Sequence, residues 1–382
     1  MPRLALLLVV SLPLATPLVV AVTNAAGRMG VSVVGQLRER WQTQLADEEK
    51  DGKVEPLQIR AVVRSASEAD RLKLDLCGAV LRDGKMLAPL LDIKDDLNID
   101  LCVVPDSLEE SDGLAAAFDG ADIAVLLSAA HADFSVDTDS LQLPVGATAL
   151  QTGAAFTAQA SNSYAALAAA AYMAATSSGV NVRVPLVDGA AAARRLGAEI
   201  AAVTRASSMR HVVLRSSMGV CALESTLGSG SADETEAAER LALASTAVTR
   251  MGGGATIAAQ ADAESALRTR CAGCGVDYTV LRLGALLDTA GDVPLAFGQS
   301  DDLLLERIAD ERANEPPLIS RNDAARLVVE VVRRGLPTLK GATIDAAWAS
   351  KWGLSSAGTE EAARTATRQD VVAAMEKARV TA

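Results

Sequence analysis

The apolar residues of this chain change their spacing in a regular way along the sequence. Short runs of Val, Ile, Leu and Ala that end at turn residues indicate buried strands, and they cover 17–23, 59–63, 101–104, 121–127, 211–215 and 278–281. Between them, apolar residues at three- and four-residue intervals predict helices over 29–46, 108–119, 190–207 and 261–270. Alternation of this kind predicts an α/β fold, a doubly wound parallel sheet of the Rossmann type.

The same pattern predicts how the chain is divided. One nucleotide-fold domain is expected over 16–345, with a small substrate-side portion at its C-terminal end. The stretches 66–100 and 132–182 are longer than simple crossovers between strands, so we interpret them as helical or loop insertions. Residues 346–382 are expected to form a C-terminal helical extension.

The first fifteen residues pose a separate question, because a single cation, Arg3, precedes an apolar run that continues to Val22. Pro13 and Pro17 argue against one continuous helix, so the run is not a firm membrane span. The residues from 18 onward are also needed for the first strand. We interpret residues 1–15 as a targeting segment. The alternatives are a retained N-terminal extension and an incomplete gene model.

Composition limits the partners and the chemistry. The formal net charge of −12, without a basic tract, argues against nucleic acid as a partner. Five scattered cysteines do not resemble a secreted disulfide framework. Cys271 and Cys274 have the spacing of a redox pair or of half a metal site, but the chain has no second pair of this spacing, so we interpret them as two thiols in a turn. With only two histidines in the chain, we predict no metal site.

A glycine turn after the first strand is the most informative feature. Gly27 and Gly30 lie between a buried strand and an amphipathic helix, where a dinucleotide needs close backbone approach to its pyrophosphate. A turn without a ligand is the alternative. The second strand ends in Arg64 instead of an acidic residue, which favours the 2′-phosphate of NADP(H) over the 2′-hydroxyl of NAD(H). A solvated arginine at a strand end is the competing interpretation.

Six elements of the sequence, in order, resemble a known family. They are Val22–Gly30 (VTNAAGRMG), Ile59–Arg64 (IRAVVR), Pro105–Leu108 with Ala117–Gly120, His211–Gly219 (HVVLRSSMG), Tyr278–Asp288 (YTVLRLGALLD) and Ile319–Ala325 (ISRNDAA). The family is that of the atypical short-chain dehydrogenase/reductases with an NmrA-like or plastid-type NAD(P)-binding Rossmann domain. The resemblance covers residues 17 to about 345, apart from the two long stretches.

The resemblance implies a set of cofactor contacts. They are Thr23, Asn24, Ala26, Gly27, Arg28, Met29, Gly30, Arg64, Asp106, Ser128 and Ala129. It also implies that Ser216, Ser217 and the Leu283–Gly284 pair lie near the nicotinamide. One position departs from the family pattern, because Asn24 replaces its first glycine. Asn tolerates left-handed backbone angles better than most residues, so we expect the turn to form.

Catalysis is less well supported than binding. Standard members of the class use a Tyr-x-x-x-Lys helix, in which lysine lowers the pKa of the proton-donating tyrosine. No tyrosine of this chain has a lysine four residues later, and no lysine lies between Lys94 and Lys340. Ser217 and His131 are the remaining candidate proton donors. The alternatives are that the hydroxyl of Ser217 bonds to the backbone or to the ribose, and that His131 is a loop residue without a catalytic role.

Two functions therefore stay open. The first is an NADP(H)-dependent oxidoreductase that lacks the Tyr-x-x-x-Lys pair. The second is a non-catalytic NADP(H)-binding scaffold, sensor or assembly factor, which in plastid members of the family acts with protein partners in plastid complexes. The missing lysine favours the second, and fold alone does not choose between them. The resemblance implies a plastid (chloroplast) location, with the cytoplasm as the alternative.

Overall fold

The computed structural model describes residues 17–48, 56–82, 85–89, 91–105, 111–128, 189–227, 254–289, 291–309, 317–349 and 359–380. Several sequence predictions lie outside these ranges. They are the targeting segment over 1–15, the stretch 132–182, and the candidate residues Asp106, Ala129 and His131.

The described strands follow the predicted runs closely and add others, two between residues 79 and 89 and the rest after residue 283. They are β1 (Leu18–Val22), β2 (Leu57–Val63), β3 (Ala79–Arg82), β4 (Lys85–Pro89), β5 (Ile99–Val103), β6 (Ile123–Leu126), β7 (His211–Ser217), β8 (Asp277–Leu283), β9 (Ala285–Leu287), β10 (Leu295–Gly298), β11 (Leu318–Ser320) and β12 (Ala342–Trp348).

The described helices alternate with these strands. They are α1 (Arg28–Glu48), α2 (Ala66–Cys77), α3 (Ser111–Phe118), α4 (Gly189–Val203), α5 (Val220–Leu227), α6 (Gly254–Cys274), α7 (Asp302–Ala309), α8 (Arg321–Glu330), α9 (Glu360–Arg368) and α10 (Val371–Val380). A π-helical segment, Val331–Gly335, continues α8. None of the helices in the described ranges is long and apolar enough to cross a membrane.

One eight-stranded sheet organises the molecule, in the order β5-β2-β1-β6-β7-β8-β12-β10. All neighbours in it are parallel except β10, which pairs antiparallel with β12. The strand order reverses between β1 and β6, since β1 leads to β2 on one side and β6 to β7 on the other. The doubly wound parallel sheet of the Rossmann type is therefore confirmed.

Alternate strand residues supply two apolar layers, one on each face. In β1, Val20 and Val22 pack toward the helices α1 and α8, whereas Val19 and Ala21 pack toward α3, α4 and α6. The period of two along a strand produces this division. Because aromatic residues make up only 3% of the chain, small aliphatic side chains fill both layers.

Two regions contain more structure than their patterns predicted. Residues 66–100 hold the crossover helix α2, then an antiparallel β3–β4 hairpin and a turn that leads into β5. Helix α6 begins at Gly254, seven residues before the predicted 261. Its early turns place Ile257 and Gln260 in the interior, and a buried polar residue does not register in an apolar pattern.

Candidate functional site

The carboxyl edge of the sheet between β1 and β6 is where the strand order reverses. In open α/β sheets such a reversal leaves a crevice, because the connections of the two strands leave in opposite directions. The turn from Thr23 to Gly27 runs along this edge and enters α1 at Arg28. The candidate contacts of this turn and of Ser128 are therefore neighbours at one place.

Asn24 gives the turn its shape. Its φ angle is 48°, in the left-handed region that glycine and asparagine adopt most readily. Its carbonyl oxygen accepts a hydrogen bond of 2.9 Å from the backbone N–H of Gly27. Asn24 thus fulfils the conformational role of the glycine that it replaces.

The two glycines are required for different reasons. A Cβ on Gly30 would lie 2.2 Å from the backbone oxygen of Asn24, so a side chain there would force the turn away from the helix. A Cβ on Gly27 would lie 2.7–2.9 Å from the side-chain amide of Asn24. Gly30 therefore fixes backbone packing, whereas Gly27 leaves room for the side chain of Asn24.

A chain of hydroxyl groups joins β1 to β6 beneath the turn. The backbone N–H of Leu127 donates to Oγ1 of Thr23 over 3.0 Å, and Oγ of Ser128 lies 3.4 Å from the same oxygen. Ser128 also donates to Oε1 of Glu199 on α4, over 2.7 Å. The structure thus brings Thr23 and Ser128 together and adds Glu199, which the sequence analysis missed because a single glutamate in a helix carries no signal.

Glu199 is fully buried beside this chain of hydroxyls. Its burial raises the pKa of the carboxyl group, and the charge and hydrogen bond of Arg195 oppose that shift. Arg195 also donates to the carbonyl oxygen of Pro105, just after β5, over 2.8 Å. The pair therefore ties the ends of β5 and β6 to helix α4.

Arg28 is the first residue of α1, and it forms an ion pair with a residue that is distant in the sequence. Its guanidinium lies 2.5 Å from a carboxylate oxygen of Asp288, which follows β9. The same carboxylate also binds Arg321, the first residue of α8. Two cations share one anion at the start of two helices, so this corner carries a net positive charge next to the glycine turn.

Arg64 lies just after β2, where the sequence places it, but its guanidinium already has an anionic partner. Glu68, in the first turn of α2, accepts from Nη2 over 2.6 Å and from Nε over 3.0 Å. Ser65 caps α2 by accepting from the backbone N–H of Glu68. The sequence pattern gives no sign of this carboxylate, because Glu68 lies in a helix four residues beyond Arg64 and not at the strand end.

The two serines that end β7 point to opposite faces of the sheet, as successive strand residues must. Ser216 donates to Oε1 of Glu264 over 2.6 Å, on the α6 side. Ser217 faces the other way, and its buried hydroxyl has no hydrogen-bond partner within the described residues. Of the two, Ser217 alone therefore keeps a free hydroxyl at this strand end.

Glu264 is the centre of a buried ion-pair network on α6. Its two oxygens accept from Nε and Nη2 of Arg282 on β8, over 2.9 and 2.8 Å, and Arg268 contributes a third contact of 2.6 Å. Burial by itself lowers the pKa of Arg282, but the hydrogen bonds and the charge of Glu264 raise it overall. One turn earlier, both amide atoms of the fully buried Gln260 have no hydrogen-bond partner in the described part of the chain.

Two further carboxylates lie buried next to this network. Asp301 accepts from the backbone N–H groups of Gly219 and Ala222 over 2.8 Å each, and so caps α5. Its own N–H donates to Asp345 on β12 over 2.7 Å. Burial, together with the charge of Asp301, raises the pKa of Asp345 to about 7.

The candidate His131 lies outside the described residues, whereas the other histidine, His211, and the two cysteines Cys271 and Cys274 are described. His211 is buried and shares a hydrogen bond of 2.9 Å with Thr279, and burial lowers its pKa to about 4. Burial also raises the pKa of Cys271 to about 12, which removes the reactive thiolate at neutral pH. Cys274 is exposed at the end of the same helix. No group of residues in the described ranges has the geometry of a metal site.

The strand order, the turn after β1 and the crevice at the order reversal define a Rossmann-type α/β protein. No protein-family profile and no curated protein sequence matches the chain. Many solved structures share similarity with it over most of its length, among them three proteins of the dehydrogenase and reductase type or of the Rossmann fold.

The first is a short-chain dehydrogenase/reductase from Veillonella parvula, with 12% identity, a TM-score of 0.41 and coverage of 87% of this chain and 94% of that chain. The second is a Rossmann-fold NAD(P)-binding family protein from Shigella flexneri, with 13% identity, a TM-score of 0.37 and coverage of 88% and 95%. The third is a Citrobacter sp. triphenylmethane reductase complexed with NADP(H), with 12% identity, a TM-score of 0.37 and coverage of 85% and 68%. At these values the similarities assign neither an activity nor a ligand to this chain.

Proposed function

We propose that this chain binds a nicotinamide dinucleotide, with NADP(H) preferred over NAD(H), at the carboxyl edge between β1 and β6. The observation that carries the proposal is the glycine turn at the strand-order reversal. There Asn24 adopts left-handed angles, and Gly30 allows the turn to lie against the first residues of α1. Free N–H groups and the positive end of the helix dipole suit a pyrophosphate at that position.

Arg64 supports the choice of NADP(H). It follows the strand next to β1, at the position where Rossmann proteins recognise the ribose of the adenosine half. A guanidinium there can form charge-assisted hydrogen bonds with a 2′-phosphate. The N-terminus of α2, which Ser65 caps, adds the positive partial charge of the helix dipole to the full charge of Arg64.

The proposed activity is that of an atypical short-chain dehydrogenase/reductase, an NADP(H)-dependent oxidoreductase without the Tyr-x-x-x-Lys pair. The bound cofactor would supply hydride, and this chain would bind it and orient the substrate. Ser217 suits a role as hydrogen donor, because its hydroxyl lies at the end of β7 without a partner among the described residues. Glu264 does not, because Ser216, Arg268 and Arg282 occupy its carboxylate.

A non-catalytic role remains a second candidate, and helix α6 favours it. The helix presents Gln260 and Glu264 toward the sheet with the four-residue spacing of a catalytic pair. An amide does not titrate, and the glutamate is held in ion pairs, so neither group can relay a proton as tyrosine and lysine do. A chain of this kind would bind NADP(H) as a sensor, scaffold or assembly factor for partners in a plastid complex.

Oxidation of NADPH against a panel of carbonyl, quinone and enone substrates separates the two functions. If the protein is an oxidoreductase, we expect turnover with at least one substrate class and a large loss of turnover rate in Ser217→Ala. Saturable NADPH binding without turnover on any class would instead support the non-catalytic role. A chain that does not bind NADPH at all would contradict both functions.

The family assignment and the plastid location are part of the same proposal and rest on the sequence resemblance. The proposed targeting segment over 1–15 would be removed close to Thr16, because cleavage after Ala21 would delete most of β1. N-terminal sequencing of the natural protein tests this. A chain that keeps Met1 and fractionates with the cytoplasm would contradict both the cleavage and the location.

A further inference from the structure

The segment that follows β2 brings a carboxylate next to the cation Arg64. The carboxylate of Glu68 reaches back from α2 to the guanidinium of Arg64, with contacts of 2.6 and 3.0 Å, and also accepts from the backbone N–H of Arg64 over 2.8 Å. An acidic residue at this place in the fold accepts a hydrogen bond from the ribose 2′-hydroxyl, whereas arginine attracts a 2′-phosphate. This chain therefore offers groups that suit both forms of the cofactor.

Glu68 is more buried than its partner. The side chain of Glu68 is 14% exposed, whereas that of Arg64 is 47% exposed. Burial alone raises the pKa of the Glu68 carboxyl group, but the hydrogen bonds and charge of Arg64 lower it overall, so the group is ionised at neutral pH. Arg71, one turn further along α2, adds a second positive charge and donates to the backbone of Ala26 over 2.8 Å.

We propose that Glu68 is a second determinant of cofactor specificity, which limits the preference for a 2′-phosphate created by Arg64 and accepts a hydrogen bond from a free 2′-hydroxyl. The inference rests on the proposed dinucleotide site and adds a residue to it. A 2′-phosphate bound by Arg64 would lie close to the Glu68 carboxylate, and the like charges repel. A 2′-hydroxyl meets no such repulsion and can donate to the carboxylate.

The negative charge of Glu68 offsets part of the positive charge with which the arginines attract a 2′-phosphate. Arg64 and Arg71 outnumber Glu68, so the site keeps a positive charge and still favours the phosphate. Because the carboxylate offsets part of that charge, NADPH should bind more tightly than NADH by less than about tenfold.

Titration of the full chain with NADPH and with NADH tests the role of Glu68. Glu68→Gln keeps the shape of the side chain and an oxygen that can accept from the N–H of Arg64, but it removes the charge. We expect the NADPH-to-NADH affinity ratio to rise about tenfold in this variant, and to fall below one in Arg64→Gln. Glu68→Asp, which withdraws the carboxylate from Arg64, should shift the ratio in the direction of Glu68→Gln by a smaller factor.

Glu360→Gln is the matched control. Like Glu68, Glu360 lies in the first turn of a capped helix and pairs with an arginine four residues away, in this case Arg364. It lies in α9, near the C-terminal end of the described residues. Its loss should leave the ratio unchanged. A folded Glu68→Gln that binds both cofactors with the ratio of the original chain would overturn the role of Glu68 and leave the dinucleotide site intact. Failure of the original chain to bind either cofactor would instead overturn the site itself.

Discussion

At the scale of single residues, the glycine turn shows how one position can be replaced when its backbone angle is preserved. Asn24 takes the left-handed angle of a missing glycine, and its side chain then lies over Gly27. The tolerance of asparagine for this angle was predictable from its chemistry. The position of its side chain was not, because that depends on a contact with Gly27 in three dimensions.

Gly27→Val tests the turn directly. The new Cβ would lie within 3 Å of the Asn24 side chain and would displace it toward the space that we propose for the pyrophosphate. We expect NADPH binding to fall by at least about a hundredfold while the unfolding transition stays cooperative, since one charge-assisted contact alone contributes about tenfold or more. Calorimetric titration measures the loss.

Gly197→Val is the control for that substitution. Gly197 lies in helix α4, and no atom of another described element lies within 4 Å of the position that an added Cβ would take. The added valine therefore meets open space, and binding should persist in this variant. Unchanged binding in Gly27→Val would mean that the turn is purely structural.

At the scale of elements, only part of helix α6 is visible in the spacing of apolar residues. The helical spacing correctly predicted the part of the helix over 261–270, and the structure continues it to Cys274. The first turns, over 254–260, were missed because their interior positions include Gln260, a polar residue that an apolar pattern does not count. Glu264 also occupies an interior position. The partners that make Glu264 acceptable there come from β7 and β8, which no local pattern can reveal.

The two polar residues of α6 should respond to substitution in opposite ways. Gln260→Leu removes two buried amide atoms that have no hydrogen-bond partner among the described residues, so we expect the free energy of unfolding to rise by about 1 kcal/mol. Glu264→Leu leaves the buried guanidinium of Arg282 without its counter-charge, so stability should fall by about 3 kcal/mol. Urea unfolding of both variants measures the difference. A loss of stability in Gln260→Leu would indicate that the amide has a partner when the protein is in solution.

At the scale of the whole molecule, the doubly wound sheet could be predicted because strand runs and helical spacing alternate over most of the chain. The additions at its far edge could not. Strand β10 pairs antiparallel with β12, a register set by contacts between segments about fifty residues apart. Glu199 and Glu264 were missed for the same reason, since each acts through partners that only the folded chain brings together. Glu68 was missed because an acid was expected at the strand end and not four residues beyond Arg64, in α2.

The pH dependence of stability is a property of the whole fold to which Asp345 contributes. Its pKa is raised from an ordinary 3.8 to about 7, because the group is buried and because Asp301 and Asp302 add negative charge that Arg282 only partly offsets. Between these two values the folded chain holds a proton that the unfolded chain releases. Lowering the pH through this window therefore stabilises the fold.

Asp345→Asn isolates that contribution. Between pH 8 and pH 5.5, the original chain should gain on the order of 2 kcal/mol of unfolding free energy relative to the variant. Comparison with the variant is needed because His211, whose pKa is lowered to about 4, acts in the opposite direction below pH 6.5. Parallel stability curves for the two proteins would show that Asp345 titrates as an ordinary carboxylate.

A crystal structure of the chain grown with saturating NADPH tests the central claim most directly. We predict that the pyrophosphate lies against the turn from Thr23 to Gly27, at the first N–H groups of α1, with the 2′-phosphate at Arg64. The nicotinamide should lie toward the end of β7, beside Ser217. A cofactor bound elsewhere, or no cofactor at a concentration that saturates known dinucleotide sites, would contradict the claim.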